Sequence, residues 1–325
     1  MLAIRQHAFG PPENLLYEEV PDPVPGEGQV RIAVEAAGVH LIDTTIRSGG
    51  ASGAYALPVL PMTPGREVAG RVDAVGPGVE EAWIGRRVVA HLGMASGGYA
   101  EMAVSAVEAL HEVPDHLTAD AAVTMIGTGR TAVGVLDVAA VAPDNVVLVT
   151  AAAGGLGTLF VQAARNVDAT VVGVAGGREK VERAAAAGAT AAIDYLDPAW
   201  PDRVREVLGD AEVSLVLDGV GGGQGRAALE LLGVGGRLVM FGSSSGEPTE
   251  FTAQEVVARG LTVSWALGYL RRLGSFRDLE TRALADAASG RLVPLVGQRF
   301  PLAEAATAHK AIESRATVGK SVLVP

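Results

Sequence analysis

Val146-Val-Leu-Val-Thr-Ala-Ala-Ala-Gly-Gly-Leu-Gly-Thr-Leu-Phe160 is the stretch from which the rest of the chain is read. It opens as an unbroken apolar run, Val146 to Thr150, with no polar alternation. Such a run predicts a strand buried on both faces, as in a parallel sheet. It breaks at Ala152-Ala-Gly-Gly-Leu-Gly157, and Leu156, Leu159, Phe160, Ala163 and Ala164 then share one face of a predicted helix. The break has G-x-G-x-x-G spacing with Ala152 in first place. Gly154 has no side chain to keep a pyrophosphate from the backbone, and Gly157 lets helix and strand pack closely. The helix N-terminus offers N–H groups and a positive dipole to phosphates. A ligand-free glycine turn has the same letters, but a strand before and a helix after favour a dinucleotide site.

The 325 residues suffice for two ordinary domains, and 49% hydrophobic against 19% charged content describes a globular chain with a sizeable core. No apolar run approaches the ~18 residues of a membrane span. Met1-Leu-Ala-Ile-Arg-Gln-His7 lacks the features of a signal peptide, so a cytoplasmic protein is expected. With no cysteine there is no disulfide, thiolate ligand or thiol nucleophile. The net charge of −11 opposes non-specific binding to nucleic acid or anionic membrane. Lys180, Lys310 and Lys320 are the only lysines.

Residues 1 to about 120 read as β-rich. Gln29-Val-Arg-Ile-Ala-Val-Glu35 alternates polar and apolar side chains, and Val68-Ala-Gly-Arg-Val-Asp-Ala-Val75 and Arg87-Val-Val-Ala-His91 follow between glycine turns. A compact barrel-like β domain is expected. Residues 119–140 are mostly helical in pattern, interrupted at Gly127-Thr-Gly129. Strands Thr170–Ala175, Ala191–Asp194, Val213–Asp218 and Arg237–Phe241 then alternate with helices over 179–187, 202–208 and 224–232. That alternation predicts a doubly wound parallel sheet. Helices over 278–288 and 302–314 and a short strand, Lys320-Ser-Val-Leu-Val324, close the chain. This last strand has no partner in the alternating series, which suggests that it returns to the first domain.

The kind of dinucleotide is read from the end of the second strand of the series. An acid there would bind the ribose 2′-hydroxyl of NAD. The strand instead ends in Gly176-Gly-Arg178, with Lys180 close by. Cations suit a 2′-phosphate, so NADPH is expected; the alternative is that Arg178 and Lys180 are solvated residues of a helix start.

Several further motifs resemble one family: Glu19-Val-Pro-Asp-Pro-Val-Pro-Gly-Glu-Gly-Gln-Val30, Ala37-Gly-Val-His-Leu-Ile-Asp-Thr44, Pro64-Gly-Arg-Glu-Val-Ala-Gly70, Gly97-Gly-Tyr-Ala-Glu101, Gly188-Ala-Thr-Ala-Ala-Ile-Asp-Tyr195 and Gly319-Lys320. With the glycine turn, these resemble the medium-chain dehydrogenase/reductase superfamily, and within it the zinc-free, ζ-crystallin-like NADPH:quinone oxidoreductases. The resemblance implies a Rossmann domain over 121–261 and a GroES-like β-barrel catalytic domain from 1–120 and 262–325. It implies that Thr131 contacts the nicotinamide end and that Ala153, Gly154, Gly155 and Leu156 form the pyrophosphate loop. Lys180 and Tyr195 would hold the 2′-phosphate near Gly176 and Arg178. Gly219 and Val220 would line the cofactor after the fourth strand, Phe241, Gly242 and Ser243 the nicotinamide cleft, and Lys320 would reach the cofactor. Homodimers through the strand at Gly260-Leu-Thr-Val-Ser-Trp-Ala266 are common in the family; the sequence equally allows a core strand there.

Two departures stand out. His40 replaces the asparagine common in the family, and Thr45 stands where some members have a tyrosine, leaving Tyr55 as an unaligned candidate. Zinc-dependent relatives have a cysteine at the place of His40 and a histidine at Arg66, so no metal is expected. In that reading Glu67 pairs with Arg66 or Arg47, and His91 ends a strand. The implied reaction is hydride transfer from NADPH to a quinone, with His40, Arg47 or Thr131 donating a hydrogen bond to the developing oxyanion. Histidine titrates near neutrality, which makes His40 the first candidate proton donor, beside a purely positioning role. The alternatives are reduction of α,β-unsaturated ketones, aldehydes or enoyl thioesters, and a non-catalytic NADPH- or RNA-binding crystallin-like role.

Overall fold

The computed structural model describes residues 1–50, 57–270 and 275–325; Tyr55 lies outside them. Two compact units result, one from residues 1–127 and 294–325, the other from residues 128–293.

The chain enters the first unit through β1 (Leu2–Gln6), β2 (Leu15–Glu19) and the 11-residue β3 (Gln29–Val39). A helix, α1 (Leu41–Ser48), precedes β4 (Glu67–Val75), β5 (Arg87–His91), β6 (Met102–Ala106) and β7 (Leu110–Glu112). Helix α2 (Ala119–Thr124) leads into a π-helical turn, Met125–Gly129, and α3 (Arg130–Ala139). The interruption read at Gly127 is thus a widened helical turn rather than a break.

In the second unit β8 (Val146–Thr150), β9 (Thr170–Ala175), β10 (Ala191–Asp194), β11 (Val213–Asp218), β12 (Leu232–Met240) and β13 (Thr262–Trp265) form a parallel sheet in the order β10-β9-β8-β11-β12-β13. Between them run α4 (Gly155–Asn166), α5 (Arg178–Ala186), α6 (Trp200–Leu208), α7 (Gly222–Glu230) and α8 (Ala253–Arg259). The strand order reverses between β8 and β11, and sheets of this kind bind ligands beyond the carboxyl ends of the strands at such a switch point. Strands β8, β9 and β11 are buried almost throughout, as their apolar runs require.

After β13 come α9 (Ala266–Leu270) and α10 (Phe276–Ala288), before β14 (Val296–Pro301), α11 (Ala305–Glu313) and β15 (Lys320–Val324). The compact units divide at a different place from the expected boundary at 262. β13 pairs with β12, α10 packs on α3, and residues 262–293 group with the parallel sheet. Only 294–325 belong with the first unit. There β15 lies between β14 and β3 in the order β14-β15-β3-β4-β5-β7, with β6 also on β3. The closing strand therefore completes the sheet that β3 begins. Ile4, Val30, Ile32, Val68, Val88, Leu110 and Leu323 share this unit's core.

A Cβ built at Gly157 would overlap the Ala151 carbonyl oxygen and lie 2.8 Å from Ala152 Cα. Gly157→Ala is expected to lower the unfolding free energy by about 1–3 kcal/mol through overpacking. Urea denaturation reads the change, and an unshifted midpoint would contradict the close approach.

Candidate active site

β3 ends at Val39, and His40 is the residue before α1. Its backbone N–H donates to Asp43 Oδ2 at 2.9 Å, which fixes the helix start. Its ring Nε2 lies 2.6 Å from Glu67 Oε1 and 2.6 Å from Lys320 Nζ. Lys320 Nζ also donates to Glu67 Oε2 at 3.2 Å. Glu67 opens β4 and Lys320 opens β15, the strands on either side of β3, so one sheet delivers all three. Glu67 and Lys320 are buried, whereas the His40 side chain remains 23% exposed. Both inner contacts use Nε2, and the ring also faces the Asp43 backbone N–H in the capping box of α1.

Two glycines make room for the carboxylate. A Cβ at Gly38 would meet Glu67 Oε2 and the Lys320 side chain, and one at Gly127 would overlap Glu67 Oε1. The π-helical turn therefore brings bare backbone over Glu67; such turns recur at functional sites. Burial alone would push the Glu67 carboxyl up, but the charges of His40 and Lys320 and the His40 hydrogen bond outweigh it, and it ionises well below the usual range. Burial pushes the Lys320 ammonium down, against the opposing pull of Glu67.

The Asp43 carboxylate also meets Arg66 Nε at 3.2 Å and the buried Tyr99 hydroxyl at 3.2 Å. The Tyr99 hydroxyl in turn lies 3.3 Å from His309 Nε2. These pairings correct the expected partners of Glu67, which are His40 and Lys320 rather than arginines; His91 Nε2 stands 4.0 Å from it. Arg47 is buried and ion-paired with Glu313. Its Nη2 meets Glu313, while Nε and Nη1 are buried without a hydrogen-bond partner.

In the second unit the glycine turn has the expected form. Gly154 is the N-cap of α4, no side chain caps that end, and Gly155 and Leu156 begin the helix. Ala153 is buried beneath the turn. After β9, Gly176 lies under the Tyr195 ring: a Cβ there would stand 3.0 Å from Tyr195 Cε2. Gly177, at φ +87°, caps α5, which carries Arg178 and the partly buried Lys180 in its first turn. Arg178 is 93% exposed and pairs with Glu182 at 2.8 Å, the solvated helix-start arrangement. Thr131, in the first turn of α3, is partly buried.

Asp218 escaped the sequence reading. It ends β11, fully buried, and accepts from Thr150 Oγ1 at 2.8 Å, Val220 N at 3.0 Å and Thr249 Oγ1 at 2.5 Å. Thr150 ends β8, so this carboxylate ties the two strands of the switch point and shapes the Gly219–Val220 turn. A Cβ at Gly219 would overlap the Phe241 ring, which meets Phe160 edge-on at 4.8 Å. Gly242 and Ser243 follow that ring. An acid closing an apolar strand before Gly219-Val-Gly-Gly222 was the available signal.

Residues 26–115 match the family model for the alcohol dehydrogenase GroES-like domain, and residues 155–286 that for zinc-binding dehydrogenases. A quinone oxidoreductase of Salmonella typhimurium is 33% identical, with 99% of each chain covered. The chain belongs to the quinone oxidoreductase branch of the medium-chain dehydrogenase/reductase superfamily. Within that family, a 2-haloacrylate reductase of a Burkholderia species is 35% identical over 98% of this chain and 97% of the reductase. The structure of an Escherichia coli quinone oxidoreductase complexed with NADPH superposes with a TM-score of 0.86, at 31% identity over 100% of both chains.

Zinc, implied by one family description, does not fit the residues present. The Lys320 ammonium sits against His40 Nε2 and Glu67, so a cation of the protein's own already takes their lone pairs. Arg66 adds a second positive group beside Asp43. Among the described residues no group of three or more His, Asp or Glu is placed to hold a metal ion. No described helix is long and apolar enough to cross a membrane.

Proposed function

We propose that this chain is an NADPH-dependent reductase of quinones, with His40 as proton donor. The observation that carries this reading is the uncapped, glycine-built start of α4 at the sheet's switch point, in a chain that aligns end to end with a quinone oxidoreductase crystallised with NADPH. Gly154, Gly155, Leu156 and the α4 N-terminus would hold the pyrophosphate. Tyr195 and Lys180 would hold the adenosine end over Gly176, with Gly219, Val220, Phe241, Gly242, Ser243 and Thr131 along the nicotinamide half. The cofactor supplies the hydride. His40, partly exposed and held from behind by Glu67 and Lys320, gives a proton to the oxygen on which charge develops. Such an oxyanion is resonance-stabilised in a quinone, so a hydrogen-bond donor suffices where a simple ketone would call for a Lewis acid.

His40→Asn is expected to bind NADPH as the wild type does and to lose about 100-fold in kcat with 1,4-benzoquinone. Wild-type kcat in that variant would end the proton-donor role. Lys180→Ala is expected to weaken NADPH binding about tenfold while leaving NADH binding unchanged. Equal dissociation constants for the two cofactors in the wild-type protein would end the 2′-phosphate reading.

A second reading, reduction of a conjugated carbon–carbon double bond, is favoured by the 2-haloacrylate reductase, which shares more identity with this chain than the Salmonella quinone oxidoreductase does. Steady-state rates with 9,10-phenanthrenequinone, an alkenal and 2-chloroacrylate separate the two. We further propose a cytoplasmic homodimer joined along β13, an edge strand paired, among the described residues, only with β12, in a region where Val257 of α8 is 81% exposed. Sedimentation velocity tests the dimer.

A further inference from the structure

We propose that Asp218 is the positioning residue for the nicotinamide half of the site, and that its one carboxylate sets two separate segments of the wall there; the proposal rests on the reading that Gly219, Val220, Phe241, Gly242 and Ser243 line that half. The first segment is the turn between β11 and α7. The second is residues 241–252, which join β12 to α8 without helix or strand. The two run side by side. Phe241 N donates to the Asp218 carbonyl at 2.8 Å, Ser244 N to Gly219 O at 3.0 Å, Ser245 N to Val220 O at 2.9 Å and Gly222 N to Glu247 O at 3.0 Å. The Asp218 side chain pins both. Oδ1 accepts from Val220 N and Gly221 N of the turn, and Oδ2 accepts from Gly221 N and from the Thr249 hydroxyl of the second segment.

Among the described residues, every donor to this carboxylate is a hydroxyl or a backbone N–H. Thr150 donates to it and accepts from Gly219 N at 2.9 Å, so the strand that leads into the glycine turn of α4 also holds the turn after β11. Gly225 of α7 leaves bare backbone over the Thr249 contact: a Cβ there would overlap Thr249 Oγ1 and lie 2.5 Å from Asp218 Oδ2. Asp218 and Thr249 are both buried, so water does not compete for these bonds. A wall ordered before its ligand arrives saves the ligand the cost of ordering it. Hydride transfer gains most from such order, because it needs the donor ring held in one orientation. The adenosine end lies at β9 and β10, where Gly176 and Tyr195 stand, so the two halves can be tested apart.

Thr249→Val keeps the side-chain shape and cuts the tie between the carboxylate and the second segment. Titration calorimetry of the full-length protein with NADPH and with 2′,5′-ADP, which carries the adenosine 2′-phosphate but no nicotinamide, reads the two halves. Thr249→Val is expected to weaken NADPH binding about tenfold and 2′,5′-ADP binding less than about twofold, and Thr249→Ser to bring NADPH back to within about threefold of the wild type. Asp218→Asn should show the same selective loss. In the wild-type protein without cofactor, hydrogen exchange should already be slow at the Val220 and Gly221 amides. Equal losses for the two ligands, unchanged NADPH affinity in Thr249→Val, or amides protected only after NADPH is added overturn the positioning role. Should Thr249→Val fail to fold, the exchange measurement on the wild-type protein decides. If the wild-type protein binds neither ligand, the functional reading itself falls.

Discussion

Glu67→Leu is expected to lower the unfolding free energy by about 3–5 kcal/mol, because it leaves the buried Lys320 ammonium without its counter-charge. The cost has two parts. Lys320 loses the acceptor 3.2 Å away, and His40 loses its partner at 2.6 Å. Lys320, unlike the partly exposed His40, recovers no water at that depth in the sheet. Glu67→Leu/Lys320→Met removes both charges and is expected to regain most of the loss, since an apolar pair of similar size carries no desolvation cost. Urea unfolding of the two single variants and the double variant gives the coupling energy. Strictly additive changes would mean that the pair does not act as a unit.

Between pH 7 and pH 4, His309 alone is expected to remove about 3 kcal/mol of stability. Burial, aided by the Arg47 charge and opposed by Asp43, pushes its imidazole down to about 4 from an ordinary 6.5. At neutral pH both the folded and the unfolded forms carry it uncharged, and it costs nothing. As pH falls below 6.5 the unfolded chain takes a proton that the folded protein refuses, so stability drops until the folded form also binds near pH 4. The span of about 2.5 pH units, at ~1.36 kcal/mol each, gives the magnitude. His309→Gln keeps a polar group near the Tyr99 hydroxyl and removes the titration. The difference between the two proteins in unfolding free energy at pH 7 and pH 4.5 isolates the effect, and parallel pH curves would contradict it.

The strands of the parallel sheet were legible because local composition determines them. Val146–Thr150 and Val213–Asp218 are apolar but for Thr150, Ser214 and Asp218, and burial on both faces leaves them no other form. β14 was not read: Val296-Gly-Gln-Arg-Phe-Pro301 sets polar side chains and a glycine among the apolar ones, and its half-exposed pattern is weak. The same contrast governs the site. The glycine turn declares itself within a dozen residues. Lys320 was read toward the cofactor because only a fold shows that β15 lies beside β3, which brings Lys320 to a histidine 280 positions earlier. The pairing of Arg47 with Glu313 was hidden likewise, since the two lie 266 residues apart. The place of β13 beside β12 was not legible, because an apolar strand gives no sign of which sheet it joins.

One consequence concerns the order of assembly during synthesis. Residues 128–293 form a unit from a single continuous run, so it can close while the remaining chain is still being made. β3 emerges early, yet its neighbour β15 is translated only after the whole of that unit. Until then the flank of β3 that will hold Lys320 is an open strand edge, and open edges invite pairing with other chains. The strand that brings Lys320 to His40 therefore also closes that edge.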